Sequence, residues 1–469
     1  MKGENDVDKK TKGNEEGLSW YTLALIGVGC IIGTGFFLGS SIGIQMAGPA
    51  VLFAFLVAGT GTYIVYDSLG RMSAQDPQKG SFRAYAKKAF GPWAGFTSGW
   101  VYWMSEMLIT GSQLTALSIF TKFWFPHIPL WVLSAFYAIL GIIVVLLGNK
   151  GFEKIENLLG VIKVSAILMF IIIAILALTG VIDGQKGFNH FPNTKDKILP
   201  NGLKGLWSAL IFGFYAFGGI EIMGIMATRL KNKEDAPKAG KIMLIVLTTI
   251  YLISIFLAVT MIPWQEHSDK KSPFVSALHE YANLGFVPHV FNGALIIAGF
   301  STMSASLFAI TTMLVTMADD HDAPKILAKQ GKKLKVPPIA LMVTVSGLIA
   351  SIVTALLMPD SIYEYITTAA GLMLLYNWIL VLFSAPRLIT FSRWDHIKRF
   401  VGMALIFLAI SGTLLHASSR PGLFVSLCIV VLIVAADVIS HFVKDRAKKN
   451  KLNTHNGKIK SHRHYRKRQ

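Results

Sequence analysis

The sequence has few charged residues and almost no cysteine. Only 15% of its residues are Asp, Glu, Lys or Arg and 53% are hydrophobic, a balance that excludes an ordinary soluble chain. The two cysteines, Cys30 and Cys428, lie in apolar runs, so we expect no disulfide framework. The chain also lacks paired-cysteine metal spacing, a His-Glu-x-x-His motif and a phosphate loop. We therefore expect no metal, no cofactor and no enzymatic activity.

Apolar runs long enough to cross a bilayer follow one another along most of the chain. About 20 apolar residues span the hydrocarbon core, and we count twelve such runs. They are 20–46, 50–71, 93–124, 128–147, 155–182, 203–229, 239–264, 288–318, 336–358, 362–385, 397–417 and 420–442. The pattern predicts an all-α polytopic membrane protein with one transmembrane domain, 20–442. Because residues 1–19 are polar, we expect a cytoplasmic N-terminal segment there and no cleavable signal peptide.

Positive charge predicts the orientation of the chain in the membrane. With twelve spans and a cytoplasmic N-terminus, 36 of the 45 Lys and Arg residues fall in cytoplasmic segments and 8 in outside loops. The remaining one, Lys163, lies within a span. Since Lys and Arg concentrate on the cytoplasmic side, both termini are predicted to be cytoplasmic, with the chain in the plasma membrane. The basic tail, 443–469, is interpreted as facing lipid and not nucleic acid. No obligatory protein partner is evident.

A lysine and two glycine-rich breaks interrupt these apolar runs. Lys163 lies in the run 158–178, where a charge costs about 2.5–3.5 kcal/mol at the helix centre. It indicates an ion or proton pathway, unless its side chain reaches back to the nearby interface. The first run breaks at Gly33-Thr34-Gly35 and the sixth at Gly218-Gly219. Breaks five helices apart favour an inverted repeat with a midplane site, whereas close helix packing is the alternative.

Two acidic residues and a tyrosine near the breaks are candidates for the site. Glu221 is either a titratable group that responds to transport, or a carboxyl that is neutral in place or hydrogen-bonded between helices. Glu106 and Thr110 share a helix face, and Glu106 either binds a cationic side chain, titrates with transport or pairs with another residue. Tyr215 lies beside the second break, which raises it above an ordinary core or interfacial aromatic.

Several motifs occur in one order along residues 18–385 and, more weakly, to 442. They read IGTGFFLGS at 32–40, AGP at 47–49, GSF at 80–82, GFTSGW at 95–100, IKV at 162–164, FGGIE at 217–221 and SPFV at 272–275. With these motifs the chain resembles the bacterial amino-acid permeases of the amino acid–polyamine–organocation superfamily, in the branch of the aromatic, lysine and GABA permeases. The resemblance implies a five-plus-five inverted-repeat fold with two extra C-terminal helices and discontinuous helices 1 and 6.

The resemblance also implies where an amino acid would bind. Its carboxylate would meet the backbone N–H groups of Gly33, Thr34 and Gly35 and the Thr34 hydroxyl. Its ammonium would meet the carbonyls of Tyr215, Ala216 and Gly218. The side-chain pocket would be lined by Ile31, Glu106, Thr110 and Thr368. Lys163 lies where sodium-coupled relatives place a cation, so its deprotonation would supply the coupling, with Glu221 as a second proton-coupling candidate.

The chain departs from the family pattern at the end of the sixth helix and within the eighth helix. The family usually has Glu where this chain has Arg229, and Arg where it has Thr312. If those positions form an inner gate pair, the gate closes differently here. The predicted function is secondary active transport, importing an amino acid by proton symport and alternating access. The alternatives are an amino-acid exchanger and a sensor that binds an amino acid without net flux.

Overall fold

The computed structural model describes residues 17–78, 80–182, 194–268, 270–281, 285–330, 336–357 and 362–440. Regular structure in these ranges is helical, apart from an isolated β-bridge between Leu18 and Leu230. The basic tail and most of the segment 1–19 lie outside the described residues, so their predicted positions stay predictions.

Each of the predicted apolar runs contains at least one helix. The first half of the chain forms α1 Trp20–Ile31, α2 Thr34–Phe37, α3 Gly39–Ala47, α4 Val51–Gln75, α5 Ser81–Phe90, α6 Pro92–Lys122, α7 Leu130–Leu146 and α8 Gly148–Leu178. The second half forms α9 Lys195–Ile198, α10 Gly202–Ala216, α11 Ile220–Met226, α12 Ala236–Met261, α13 Pro273–Tyr281, α14 Val287–Asp319, α15 Pro338–Leu357, α16 Ile362–Leu388, α17 Arg393–Gly412 and α18 Arg420–Ser440. Seven helical stretches of the described chain are long and apolar enough to cross a membrane, and three shorter helices are apolar. The all-α polytopic fold is confirmed, whereas the count of twelve spans stays a prediction.

Both glycine-rich breaks are present in the structure. α1 starts after Ser19, whose side chain accepts a hydrogen bond from the Thr22 N–H, and it ends at Ile31. The chain then passes through an extended Gly33 before α2 begins. At the second break, Gly219 has φ +114°, a left-handed conformation that favours glycine. The first and sixth apolar runs are therefore each divided into separate helices.

An aromatic pair holds the two breaks next to each other. Phe36, just after the first break, stacks on Tyr251 of α12 with 3.8 Å between ring centroids and 8° between ring planes. The Tyr251 hydroxyl donates to the Ala216 carbonyl at the second break, at 3.0 Å. One buried side chain thus links both interruptions.

At each end of the helix bundle, a polar contact joins two segments that the charge pattern assigns to the same side of the membrane. Arg387, in the last turn of α16, donates to the Ala89 carbonyl in α5 at 2.9 Å, and both positions are predicted to be cytoplasmic. At the other end, the amide of Gln45, at the predicted outer end of the first apolar run, donates to the carbonyl of His267, in a predicted outside loop, at 2.8 Å. The helix bundle therefore has two separate polar ends.

Candidate functional site

A small cavity lies between the two helix breaks. Its volume is about 50 Å³, room for a few water molecules. Eight of the predicted binding residues line it, namely Ile31, Gly33, Thr34, Gly35, Glu106, Tyr215, Ala216 and Gly218. Two others do not. The Thr110 hydroxyl donates to the Glu106 backbone carbonyl at 2.8 Å, and Thr368 lies against Gly422 of α18.

The first break presents donors to the cavity. α2 begins at Thr34, and no side chain caps its N-terminus, so its first backbone N–H groups have no partner within the helix. The Thr34 hydroxyl is buried and, within the described residues, has no hydrogen-bond partner. Because buried polar groups are normally bonded, this edge of the cavity has unused donors that suit an anionic group.

The glycines at this break are needed for space. A Cβ atom on Gly33 would lie 2.7 Å from Cγ2 of Thr302, and one on Gly35 would lie 2.9 Å from Cε1 of Tyr215. Gly33 itself is extended, with φ −158°, a conformation open to any residue. Close approach of α14 and α10 to the first break, and not backbone strain, therefore excludes larger side chains.

The second break presents carbonyl oxygens. The Tyr215 carbonyl accepts the Gly218 N–H at 3.0 Å, and the Ala216 carbonyl accepts the Tyr251 hydroxyl. Each carbonyl has two lone pairs, so one remains for another donor. The Tyr215 hydroxyl shares a hydrogen bond of 2.6 Å with Oγ of Ser112, which fixes its ring over the cavity.

Glu221 lies just behind the second break and does not line the cavity. Its Oε2 accepts the Gly219 N–H at 3.0 Å, and its Oε1 accepts the indole N–H of Trp378 in α16. The carboxyl therefore bonds the residue that precedes α11 and ties this helix to α16. This geometry favours the interpretation as a carboxyl bonded between helices.

Lys163 is fully buried in the protein, with 0% of its surface exposed. Its Nζ donates to the Gly29 carbonyl of α1 at 2.9 Å, four residues before Gly33. The side chain therefore does not extend to the membrane interface, and the snorkelling interpretation is wrong. Its ammonium instead contacts the helix that ends at the cavity.

Comparison with known sequences identifies the family. Residues 22–451 match the family described as Amino acid permease. This chain belongs to that family. It is 54% identical over 429 residues to a Bacillus subtilis (strain 168) protein named "Uncharacterized transporter YcgH", covering 91% of this chain and 95% of that protein.

Two further relatives carry a substrate in their names. Both are called "Aromatic amino acid transport protein AroP", one from Corynebacterium glutamicum and one from Escherichia coli (strain K12), and each is 30% identical to this chain. The matches cover 81% and 78% of this chain, and 83% and 80% of the relatives. Membership in a transporter family, together with the apolar helices, makes this amino acid permease a multi-pass membrane protein.

Sequence reasoning missed half of the cavity wall of the permease. The missed residues are Cys30, Ile109, Gln113, Gly219, Ile222, Thr302, Ala305 and Ser306. Gln113 had a signal, because it follows Glu106 by seven residues and so shares its helix face. The small polar stretch 301–306 in the apolar α14 was a second signal. Ile109 and Ile222 had none, because they resemble any core residue.

The two departures from the family pattern lie at exposed positions. Arg229 follows α11 and Thr312 lies on α14, and both side chains are exposed. Because Thr312 carries no charge, an ion pair cannot join these two positions.

A buried ionic cluster occupies the same polar end. Arg83 of α5 is 1% exposed, and its guanidinium pairs with Asp320 and Asp322, which follow α14. Lys87 adds a contact of 3.3 Å between its Nζ and the Asp322 carboxylate. Gly99 of α6 leaves room for the guanidinium, since a Cβ there would lie 2.9 Å from Nε of Arg83. The cluster joins α5, α6 and the end of α14.

Proposed function

We propose that this permease imports an amino acid together with a proton, by alternating access across the plasma membrane, with both termini in the cytoplasm. The observation that carries the proposal is the buried Lys163 ammonium bonded to Gly29, one helical turn before the break that borders the cavity. An ionisable residue buried at membrane depth is expensive and typically marks a proton or ion pathway.

Proton exchange at Lys163 would act directly on the first break. A charge-assisted hydrogen bond is about twice as strong as a neutral one, so loss of the proton weakens the attachment of α1 to α8. The end of α1 is then freer to move, which changes access to the cavity. Coupling follows if the protonated and neutral lysine favour different conformations of this helix.

The two breaks provide complementary groups for an amino acid. Unused donors at Gly33, Thr34 and Gly35 suit its carboxylate, and carbonyls of Tyr215, Ala216 and Gly218 suit its ammonium. A helix N-terminus favours negative charge and a C-terminus favours positive charge. The N-terminus of α2 and the C-terminus of α10 therefore orient the substrate. Glu106 and Ile31 would contact its side chain.

Uptake of radiolabelled amino acids into proteoliposomes tests the proposal. We expect accumulation of one chemical group of amino acids when an inward proton gradient is imposed, and none without it. Uptake that needs preloaded vesicles and ignores the gradient would show an exchanger. Binding without either flux would show a sensor.

The natural cysteines provide the binding assay. Cys30 lines the cavity, whereas Cys428 is exposed on α18. In a Cys428→Ser background, we expect a bound amino acid to slow alkylation of Cys30. A substrate that is accumulated but gives no protection would contradict the location of the site.

A further inference from the structure

Two hydrogen-bond acceptors of α6 face the cavity from the same side. Glu106 and Gln113 both line it, and seven residues place their Cα atoms about 10.5 Å apart along the helix. Both side chains extend from one helix face, with Ile109 between them in the wall. A single group of the substrate side chain can therefore approach both.

The Gln113 amide lacks a partner on its oxygen. Only 6% of the residue is exposed, yet its Oε1 makes no hydrogen bond with any described residue. Leaving a buried acceptor unsatisfied is costly, and most buried polar atoms in proteins are bonded. An oxygen accepts and cannot donate, so the group that satisfies it must be a donor.

Glu106 differs from the other buried acid of the permease. Glu221 is held by the Gly219 N–H and the Trp378 indole. Glu106 is 3% exposed and has only the hydroxyls of Ser306 and Tyr102 as hydrogen-bond neighbours among the described residues, where no Lys or Arg forms an ion pair with it. Buried acids are rare unless paired, so a positive partner from outside the chain would complete this site.

We propose that the transported amino acid has a cationic side chain, whose ammonium or guanidinium group bonds to Oε1 of Gln113 and to the Glu106 carboxylate. The methylene groups of that side chain pack on Ile109. This inference rests on the proposed transport of an amino acid and names its substrate class. An aromatic hydrocarbon side chain would leave Oε1 of Gln113 without a donor and Glu106 without a positive partner.

Uptake of lysine, ornithine and arginine, compared with leucine and phenylalanine, tests the assignment in proteoliposomes. We expect the cationic amino acids to be accumulated and to compete with one another. Accumulation of only neutral amino acids would overturn the cationic assignment and leave amino-acid transport intact. Absence of any binding or flux across the panel would overturn both proposals.

Two substitutions of nearly constant size locate the contacts. Charged hydrogen bonds are stronger than neutral ones, so Glu106→Gln should lower the apparent affinity for lysine about tenfold or more, and Gln113→Met about three- to tenfold. Gln113→Glu should instead raise it. The matched control is Thr115→Val, which removes a buried hydroxyl of the same helix that donates to the Gly111 carbonyl.

The pattern across these variants separates recognition from folding. Each variant is compared with the wild type by size-exclusion chromatography and by its thermal unfolding in detergent. Unchanged lysine affinity in both Glu106→Gln and Gln113→Met, with the proteins folded, would overturn the proposal. Equal losses in the Thr115→Val control would do so as well, because the effect would then be structural. Should Gln113→Met fail to fold, a rise in affinity in Gln113→Glu supports the contact and a fall contradicts it.

Discussion

Lys163 makes a structural hydrogen bond and is also the proposed proton carrier, and two substitutions separate these roles. Gln can still donate to the Gly29 carbonyl but carries no proton, whereas Ala can do neither. We expect Lys163→Gln to abolish gradient-driven accumulation while retaining substrate protection of Cys30, and Lys163→Ala to lose both accumulation and part of the binding. Uptake by proteoliposomes and alkylation of Cys30 measure the two effects. Undiminished accumulation by Lys163→Gln at neutral pH would refute the coupling role.

Gly33 tests the carboxylate end of the site. A Cβ atom there would lie 2.7 Å from Thr302, so Gly33→Ala must displace α14 locally, and Gly33→Leu must also fill the cavity. We expect at least a tenfold loss of affinity for Ala, equivalent to about 1.4 kcal/mol, and no detectable binding for Leu. Equilibrium binding of the labelled substrate measures both, and wild-type affinity in Gly33→Leu would refute this location.

His267 predicts an acid sensitivity of the fold that is independent of transport. It lies in the loop after α12, and burial lowers its pKa from 6.5 to about 4. Both ring nitrogens are buried and, among the described residues, have no hydrogen-bond partner. Protonation therefore favours the unfolded chain, so this contribution to stability is intact above pH 6.5 and is lost as the pH falls towards 4. The loss is at most about 1.4 kcal/mol per pH unit.

The substitution His267→Leu should reduce the loss of stability between pH 7 and pH 4.5. Thermal unfolding of the detergent-solubilised protein at each pH measures this loss. The exposed His396 provides the control, because His396→Leu should leave the profile unchanged. An identical acid-induced loss in the His267→Leu variant and the wild type would contradict the explanation.

At the scale of helices, periodicity and glycine placement were enough to predict the breaks but not the cavity wall. Gly33 and Gly219 lie where the chain leaves the helical conformation, and the run of Gly residues indicates this directly. Thr368 was predicted to face the site, yet it lies against Gly422. Which face of α16 meets α18 depends on packing between helices distant in sequence. A single sequence contains no such information, so the rotation of each helix could not be predicted.

The connection between α5 and the end of α14 depends on one buried arginine. Arg83→Gln removes the cation that neutralises Asp322, whose side chain is 9% exposed. Breaking a buried pair by removing one partner typically costs about 3–5 kcal/mol. We expect the free energy of unfolding to fall by an amount in that range, and to recover partly in the double variant Arg83→Gln/Asp322→Asn. Unfolding of the detergent-solubilised protein measures both.

An exposed pair from the same helix is the natural control. Lys88 pairs with Asp76, and about half of each side chain is exposed, so Lys88→Gln should change stability by no more than about 1 kcal/mol. Equal losses in the Arg83→Gln and Lys88→Gln variants would show that burial does not determine the strength of the cluster.

At the scale of the whole molecule, charge distribution and tertiary contacts agree on two opposite ends. The contacts of Arg387 with Ala89 and of Gln45 with His267 each join segments that the charge pattern places on one side. The contacts establish which loops belong together but contain no information on which end faces the cytoplasm. That assignment depends on the 36 Lys and Arg residues in one set of segments against 8 in the other, an asymmetry that marks the cytoplasmic side.

Two exposed lysines, one at each end, allow this orientation to be measured. In a background with Cys30→Ser and Cys428→Ser, Lys270→Cys lies in the predicted outside loop and Lys88→Cys in the predicted cytoplasmic one, and both positions are exposed. A maleimide that does not cross membranes should label Lys270→Cys on intact cells, and Lys88→Cys only after the cells are broken. The opposite pattern would invert the permease in the membrane. The ionic cluster of Arg83 would then lie at the outer end of the helix bundle, because Lys88 and Arg83 share α5.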